Sequence, residues 1–89
     1  MNMPKQFKQL AAHGYAPEAF RTAYQFFRSR GITIGYSSVW RSWYAMGYGK
    51  GNAPQTIIVK LGLGAFIDYL DAPSQLLKAM AESGAEIRN

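Results

Sequence analysis

The chain has 89 residues with a formal net charge of +5, and 48% of it is hydrophobic, 15% aromatic and 17% charged. That length holds a single domain, residues 1–89, with a limited core, and the apolar content excludes a disordered tail. The lack of cysteine excludes disulfides and thiolate metal sites and fits a reducing, cytoplasmic setting. The amino-terminal stretch lacks the long apolar core of a signal peptide. The most apolar run, residues 56–70, is broken by Lys60, Gly62, Gly64 and Asp68, so no membrane span is expected. Charge is unevenly placed. Residues 1–50 carry Lys5, Lys8, Arg21, Arg28, Arg30, Arg41 and Lys50 against Glu18 alone. Residues 51–89 carry Lys60, Lys78 and Arg88 against Asp68, Asp71, Glu82 and Glu86. Eleven of the thirteen aromatic residues also precede residue 50. This division predicts a basic, DNA-binding part over residues 1–50 and an assembly or partner-binding part over 51–89.

In chain order, the first expected element is a short helix with Pro4 in its first turn and Gly14 at its C-cap. Phe7, Leu10 and Ala11 share one face of it, while Lys5 and Lys8 face elsewhere. His13, at its end, suits a capping role. Pro17 opens a second helix that Gly31 ends. Phe20, Ala23, Tyr24 and Phe27 form its apolar stripe at i, i+3, i+4 and i+7. Arg21, Gln25 and Arg28 lie on another face, and Glu18 and Arg28 suit the two ends of the helix dipole. Residues 31–35, Gly-Ile-Thr-Ile-Gly, read as an extended turn or a very short strand. Ser37 or Ser38 then caps a third helix over residues 38–46, which stops at Gly47 or Gly49. The glycine-rich stretch 47–54 is a loop and the boundary between the two parts. Residues 55–61 have the β-branched run of a strand, although Pro54 equally opens a helix reaching Leu70. Gly62 and Gly64 each weigh about 1 kcal/mol against one unbroken helix, which favours a short strand or broken turn followed by a helix over 63–70. Pro73 opens a last helix, with Leu76, Leu77 and Met80 on its apolar face and Gly84 at its end.

The third helix has two faces. Val39, Trp43 and Met46 should pack on the Phe20–Phe27 stripe. Ser38, Arg41, Ser42 and Ala45 make a small, polar face of the kind that sits deep in a major groove. On it Arg41 pairs with guanine, Ser38 and Ser42 reach bases or phosphates, and Ala45 touches a thymine methyl. Arg21, Arg28, Arg30 and Lys50 are the expected phosphate contacts. Trp40 and Tyr44 lie between the faces, and with Tyr36 and Tyr48 they are the aromatics suited to an interface. The run from Arg30-Gly-Ile through Ser-Ser-Val-Trp-Arg41, with Trp43, Met46-Gly47 and Lys50, resembles the helix-turn-helix of insertion-sequence transposases and related winged-helix domains. The similarity covers roughly residues 18–50. Ser38 stands where threonine is common and Trp43 where leucine is usual. The resemblance implies a DNA-binding module detached from transposase catalysis, such as a regulator or accessory factor.

The expected fold is therefore mainly α, a small helical domain with a helix-turn-helix-like core and room for a short strand or wing near residues 55–61. Double-stranded DNA is the expected partner. The apolar second part would join two copies as a homodimer and set half-sites about one helical turn apart. A regulator of transcription or recombination fits that description. The competing expectation is a protein-binding inhibitor or adaptor from a mobile element that blocks a host nucleic-acid machine. RNA stays open as a ligand, since exposed aromatics also suit single strands. No catalytic constellation, metal cluster or cofactor motif stands out. Asp68 and Asp71 read as solvated, Gly62-Leu-Gly64 lacks a third glycine, and residues 47–51 lack the Lys-Ser/Thr ending of a P-loop.

Overall fold

The computed structural model describes residues 5–88. Pro4, expected in the first turn of the opening helix, lies outside the described residues. Seven elements follow one another: α1 (Lys5–Ala12), α2 (Pro17–Ser29), β1 (Thr33–Ser37), β2 (Ser42–Tyr48), β3 (Thr56–Leu61), α3 (Leu63–Asp71) and α4 (Pro73–Glu82). Proline opens α2 and α4, where a missing N–H costs nothing.

The end of α2 shows how local chemistry sets up the core. Gly31 takes φ 87°, a conformation that suits glycine. That turn lets Ile32 N–H donate to the Phe27 carbonyl (2.9 Å) and Gly31 N–H to that of Arg28 (3.1 Å). This is the paired closure in which the residues flanking the turn meet as an apolar contact. Both Phe27 and Ile32 are fully buried. The ends of α1 and α4 repeat the pattern, with Tyr15 N–H on Leu10 (2.9 Å) and Ala85 N–H on Met80 (3.0 Å). Three helix ends thus deliver Leu10, Phe27, Ile32, Met80 and Ala85 to one core.

The strands form an antiparallel sheet in the order β1-β2-β3. Residues paired across it include Ile34 with Ala45, Tyr36 with Trp43 and Trp43 with Leu61. These point to one face, because side chains alternate along a strand. Trp43 is the centre of that inner face. It stacks on Phe66 of α3 (4.4 Å between centroids, 22°). It meets Phe7 of α1 edge-on at 5.4 Å and Tyr36 edge-on at 5.2 Å, and the Phe20 ring of α2 lies 6.4 Å away. A Cβ on Gly47, further along the inner face, would touch Met80 of α4 at 3.6 Å. All four helices therefore pack on the same side of the sheet. The chain beyond α4 ties down its far end, with Glu86 N–H donating to the Tyr48 carbonyl (2.7 Å) and Arg88 N–H to that of Arg30 (2.9 Å). The Tyr15 hydroxyl donates to the Asp71 carboxylate and joins the α1–α2 turn to the end of α3.

This architecture is α+β and corrects the mainly α expectation. Residues 38–46 do not form a helix. Residues 38–41 turn the β1–β2 hairpin and residues 42–48 are its second strand. The physical reason is the two-residue alternation of Trp43, Ala45 and Gly47, which buries all three on the inner face once β1 and β3 pair on either side. Of the stripe expected to meet Phe20–Phe27, Trp43 alone enters the core. Val39 is 85% exposed, and Met46 lies on the outer face opposite Thr33 and Ile58. Of the stretch 47–54, expected as a loop and boundary, residues 47 and 48 end β2 and the rest connects β2 to β3 inside one sheet, and Phe66 beyond it stacks on Trp43 before it.

Candidate nucleic-acid interface

With every helix on the inner side, the outer face of the sheet carries no layer of described residues. Its residues are Thr33, Gly35 and Ser37 of β1, Ser42, Tyr44, Met46 and Tyr48 of β2, and Thr56, Ile58 and Lys60 of β3. An open face on an antiparallel sheet is ordinarily polar. This one carries tyrosines, a methionine and an isoleucine, with Trp40 beside them in the hairpin turn. Trp40 is 42% exposed, Tyr48 49% and Ile58 40%.

Three observations fix how the aromatics sit. A Cβ built on Gly35 would lie 3.1 Å from the Tyr44 hydroxyl oxygen and 3.3 Å from its Cζ. The phenol therefore reaches across to the neighbouring strand and rests on Gly35, in space that only glycine leaves. The Trp40 ring stands perpendicular to it, at 87° and 6.2 Å between centroids. Lys60, paired with Tyr44 across β2 and β3, holds its Nζ 5.2 Å from the centre of the Trp40 ring. The turn that presents Trp40 is closed by its own N–H donating to Ser37 Oγ (3.1 Å) and by Arg41 at φ 51°. Tyr44 and Trp40 thus make a floor and a wall at the side of a depression of about 330 Å³, which Ser37, Ser38, Met46 and Ile58 also line.

The expected base-reading set is not brought together. Ala45 is completely buried on the inner face, because a strand sends Ser42 and Ala45 to opposite sides of the sheet. The Ser42 hydroxyl is engaged by the Trp43 carbonyl (2.9 Å) and the Leu61 carbonyl (3.3 Å). Ser38 and Arg41 are exposed in the turn. Tyr36 belongs to the inner face and packs on Trp43. Among the expected phosphate contacts, Arg21 and Arg28 are exposed on α2, in the helical layer. Arg30 is committed locally, with Nη1 donating to the Phe26 carbonyl (3.0 Å) and its guanidinium 3.7 Å above the Phe26 ring. Lys50 is exposed in the β2–β3 connection, beside a hollow that also holds Glu86. Lys60, absent from the expected set, is the cation that lies on the open face. Its signal in the sequence is the alternation Thr56, Ile58, Lys60 within residues 55–61, for which a short strand is one of the readings.

Electrostatics distinguishes the two layers. From residue 19 to residue 67 the chain contains Arg21, Arg28, Arg30, Arg41, Lys50 and Lys60 and no aspartate or glutamate. The whole sheet and both of its connections fall within that stretch. Glu18, Asp68, Asp71 and Glu82 all lie on helices, and Glu86 lies in the segment after α4. Trp43 Nε1 is the one buried side-chain polar atom without a hydrogen-bond partner among the described residues. It belongs to the core side and not to the open face. No cluster of three or more histidines or acids capable of holding a metal occurs among the described residues. No helix there is long and apolar enough to cross a membrane. No protein-family model, curated protein or solved structure matches the chain.

Proposed function

We propose that the protein binds nucleic acid through the open face of its sheet and acts by occupying it, as a small regulator does, without catalysing a reaction. The observation that carries this reading is the coincidence of exposed and half-buried aromatics with a sheet whose strands and connections carry cations and no acid. Trp40, Tyr44 and Tyr48 line or flank the face, Lys60 lies on it, and Arg41 and Lys50 flank the two ends of β2. Phosphates supply the attraction that such cations answer, and bases offer flat rings on which aromatics stack. The expected entry of a helix into the major groove has no place in this reading, since the residues assigned to that helix build the sheet. Fluorescence-anisotropy titration of labelled oligonucleotides, single-stranded and duplex, is the test. Binding that weakens on adding salt and on Lys60→Gln is expected. Absence of binding to both forms at low salt overturns the proposal.

A second reading, the protein-binding adaptor, draws on Val39, which is 85% exposed at the tip of the β1–β2 hairpin. Exposed apolar groups beside tyrosine and tryptophan are what protein interfaces use. A second copy of the chain is one such partner. Sedimentation of the free protein at rising concentration reads self-association directly.

A further inference from the structure

We infer that the ligand of the open face is a single strand, with one unpaired base held in the corner between Tyr44 and Trp40. This rests on the proposed nucleic-acid function and names its substrate class. In a duplex the faces of the bases are covered by their neighbours, so a protein reads base edges with an element that enters a groove. The outer sheet is a broad face with no helix on it. Its recognition groups are rings, which gain energy only from bases that have left the stack.

The corner has the features that an unpaired base requires. Tyr44 is laid over Gly35, with its hydroxyl oxygen 3.1 Å from where a Cβ would stand, so it forms a floor supported from below. Trp40 rises at 87° to that floor and limits the base on one side. Lys60, 5.2 Å from the Trp40 ring centre, places a positive charge where the phosphate of the same nucleotide would pass. Ser37 and Ser38 at the rim supply hydroxyls. Arg41 and Lys50 flank opposite ends of β2, Arg41 in a hollow it shares with Gln9 of α1 and Lys50 beside Glu86, so Lys60 is the cation on the face itself. No carboxylate lies anywhere on the sheet or its connections to repel the nucleic-acid strand. A partner protein would meet the same rings, but the absence of any carboxylate on the three strands and the hairpin turn that carry Tyr44 and Trp40 favours a polyanion.

The experiment compares one mixed-sequence 15-mer as DNA, as RNA and as DNA duplex, by titration at a single salt concentration. Tryptophan emission is read alongside, because a base stacked in the corner quenches Trp40 while buried Trp43 reports the fold. Single strands should bind about tenfold or more tighter than the duplex, since each stacked base contributes about 1–3 kcal/mol. DNA and RNA strands of similar affinity would leave the sugar unread, and a preference for either is equally consistent with stacking. Trp40→Ala and Tyr44→Ala should each weaken the single strand about tenfold and change the duplex less than twofold, while Tyr44→Phe restores binding. Trp40 lies in an exposed turn, so its variant folds even if Tyr44→Ala does not. Duplex binding as tight as the single strand, or equal losses for both forms in Trp40→Ala, overturns the inference but leaves nucleic-acid binding standing. Failure of every oligonucleotide to bind overturns both.

Discussion

Gly47 occupies the inner face of β2, where a Cβ would lie 2.8 Å from Ile32 Cδ1 and 3.1 Å from the Ala85 Cβ. Both neighbours are buried, Ile32 completely, and each is fixed by the helix closure that it completes. The Ile32 methyl has little room to retreat, and Ala85 has no rotamer to change. Gly47→Ala should therefore destabilise the protein by about 1–3 kcal/mol through overpacking, read as a lower urea midpoint at unchanged slope. A neutral result would show that the end of the sheet can open to admit a methyl. Gly35 is constrained by close approach on the opposite face, but its neighbour is Tyr44, the far end of a ring that can swing. Substitution there should spare the fold more than it spares the open face. The two glycines of adjacent strands thus serve different layers.

At the scale of elements, the helices were legible because proline and glycine punctuate them. Pro17, Gly31, Pro73 and Gly84 mark ends that the structure reproduces, and the β-branched run before Leu61 marks β3. The hairpin of β1 and β2 was not legible, and the reason is arithmetic. Val39, Trp43 and Met46 recur as a helix requires, while Trp43, Ala45 and Gly47 recur as a strand requires. The choice depends on Leu61 and Val59, which pair with Trp43 and Ala45 from a distant part of the chain. A spacing of four keeps residues on one side under either period, since it is close to one helical turn and is also an even number. Tyr44 and Tyr48 therefore share the outer face of β2, and Trp40 reaches Tyr44 from the hairpin turn. Ser42 and Ala45, three apart, share a helix face but are separated by the sheet. Hydrogen exchange tests the strand directly. Amides of residues 43–47, central in the sheet, should exchange only through global unfolding, whereas those of residues 38–41 in the turn exchange quickly. Uniform protection from 39 to 46 would restore a helix there.

At the scale of the molecule, charge separates by layer. Four of the five acids ride on the helices and the fifth follows α4, while the sheet has none. The helical layer is not short of cations, since Arg21 and Arg28 are exposed on α2. Binding to the sheet and binding to the helices therefore make different predictions about salt. Arg21 and Arg28 lie on α2, which packs on the side of the sheet opposite the open face, and exposed charges separated by more than the roughly 10 Å screening length at 0.1 M salt are largely screened. Only nearby cations release counterions. If Arg41, Lys50 and Lys60 each meet a phosphate, at about 0.7 ions per contact for a single strand, log K should fall against log salt with a slope near −2. Lys60→Gln should flatten that slope by about 0.7, and Arg21→Gln should leave it unchanged. The reverse pattern, a slope sensitive to Arg21 and indifferent to Lys60, would move the phosphates to the helical layer and leave the aromatic face for a protein. The pair of substitutions removes equal charge from the two layers, so a difference between them reports position and not net charge.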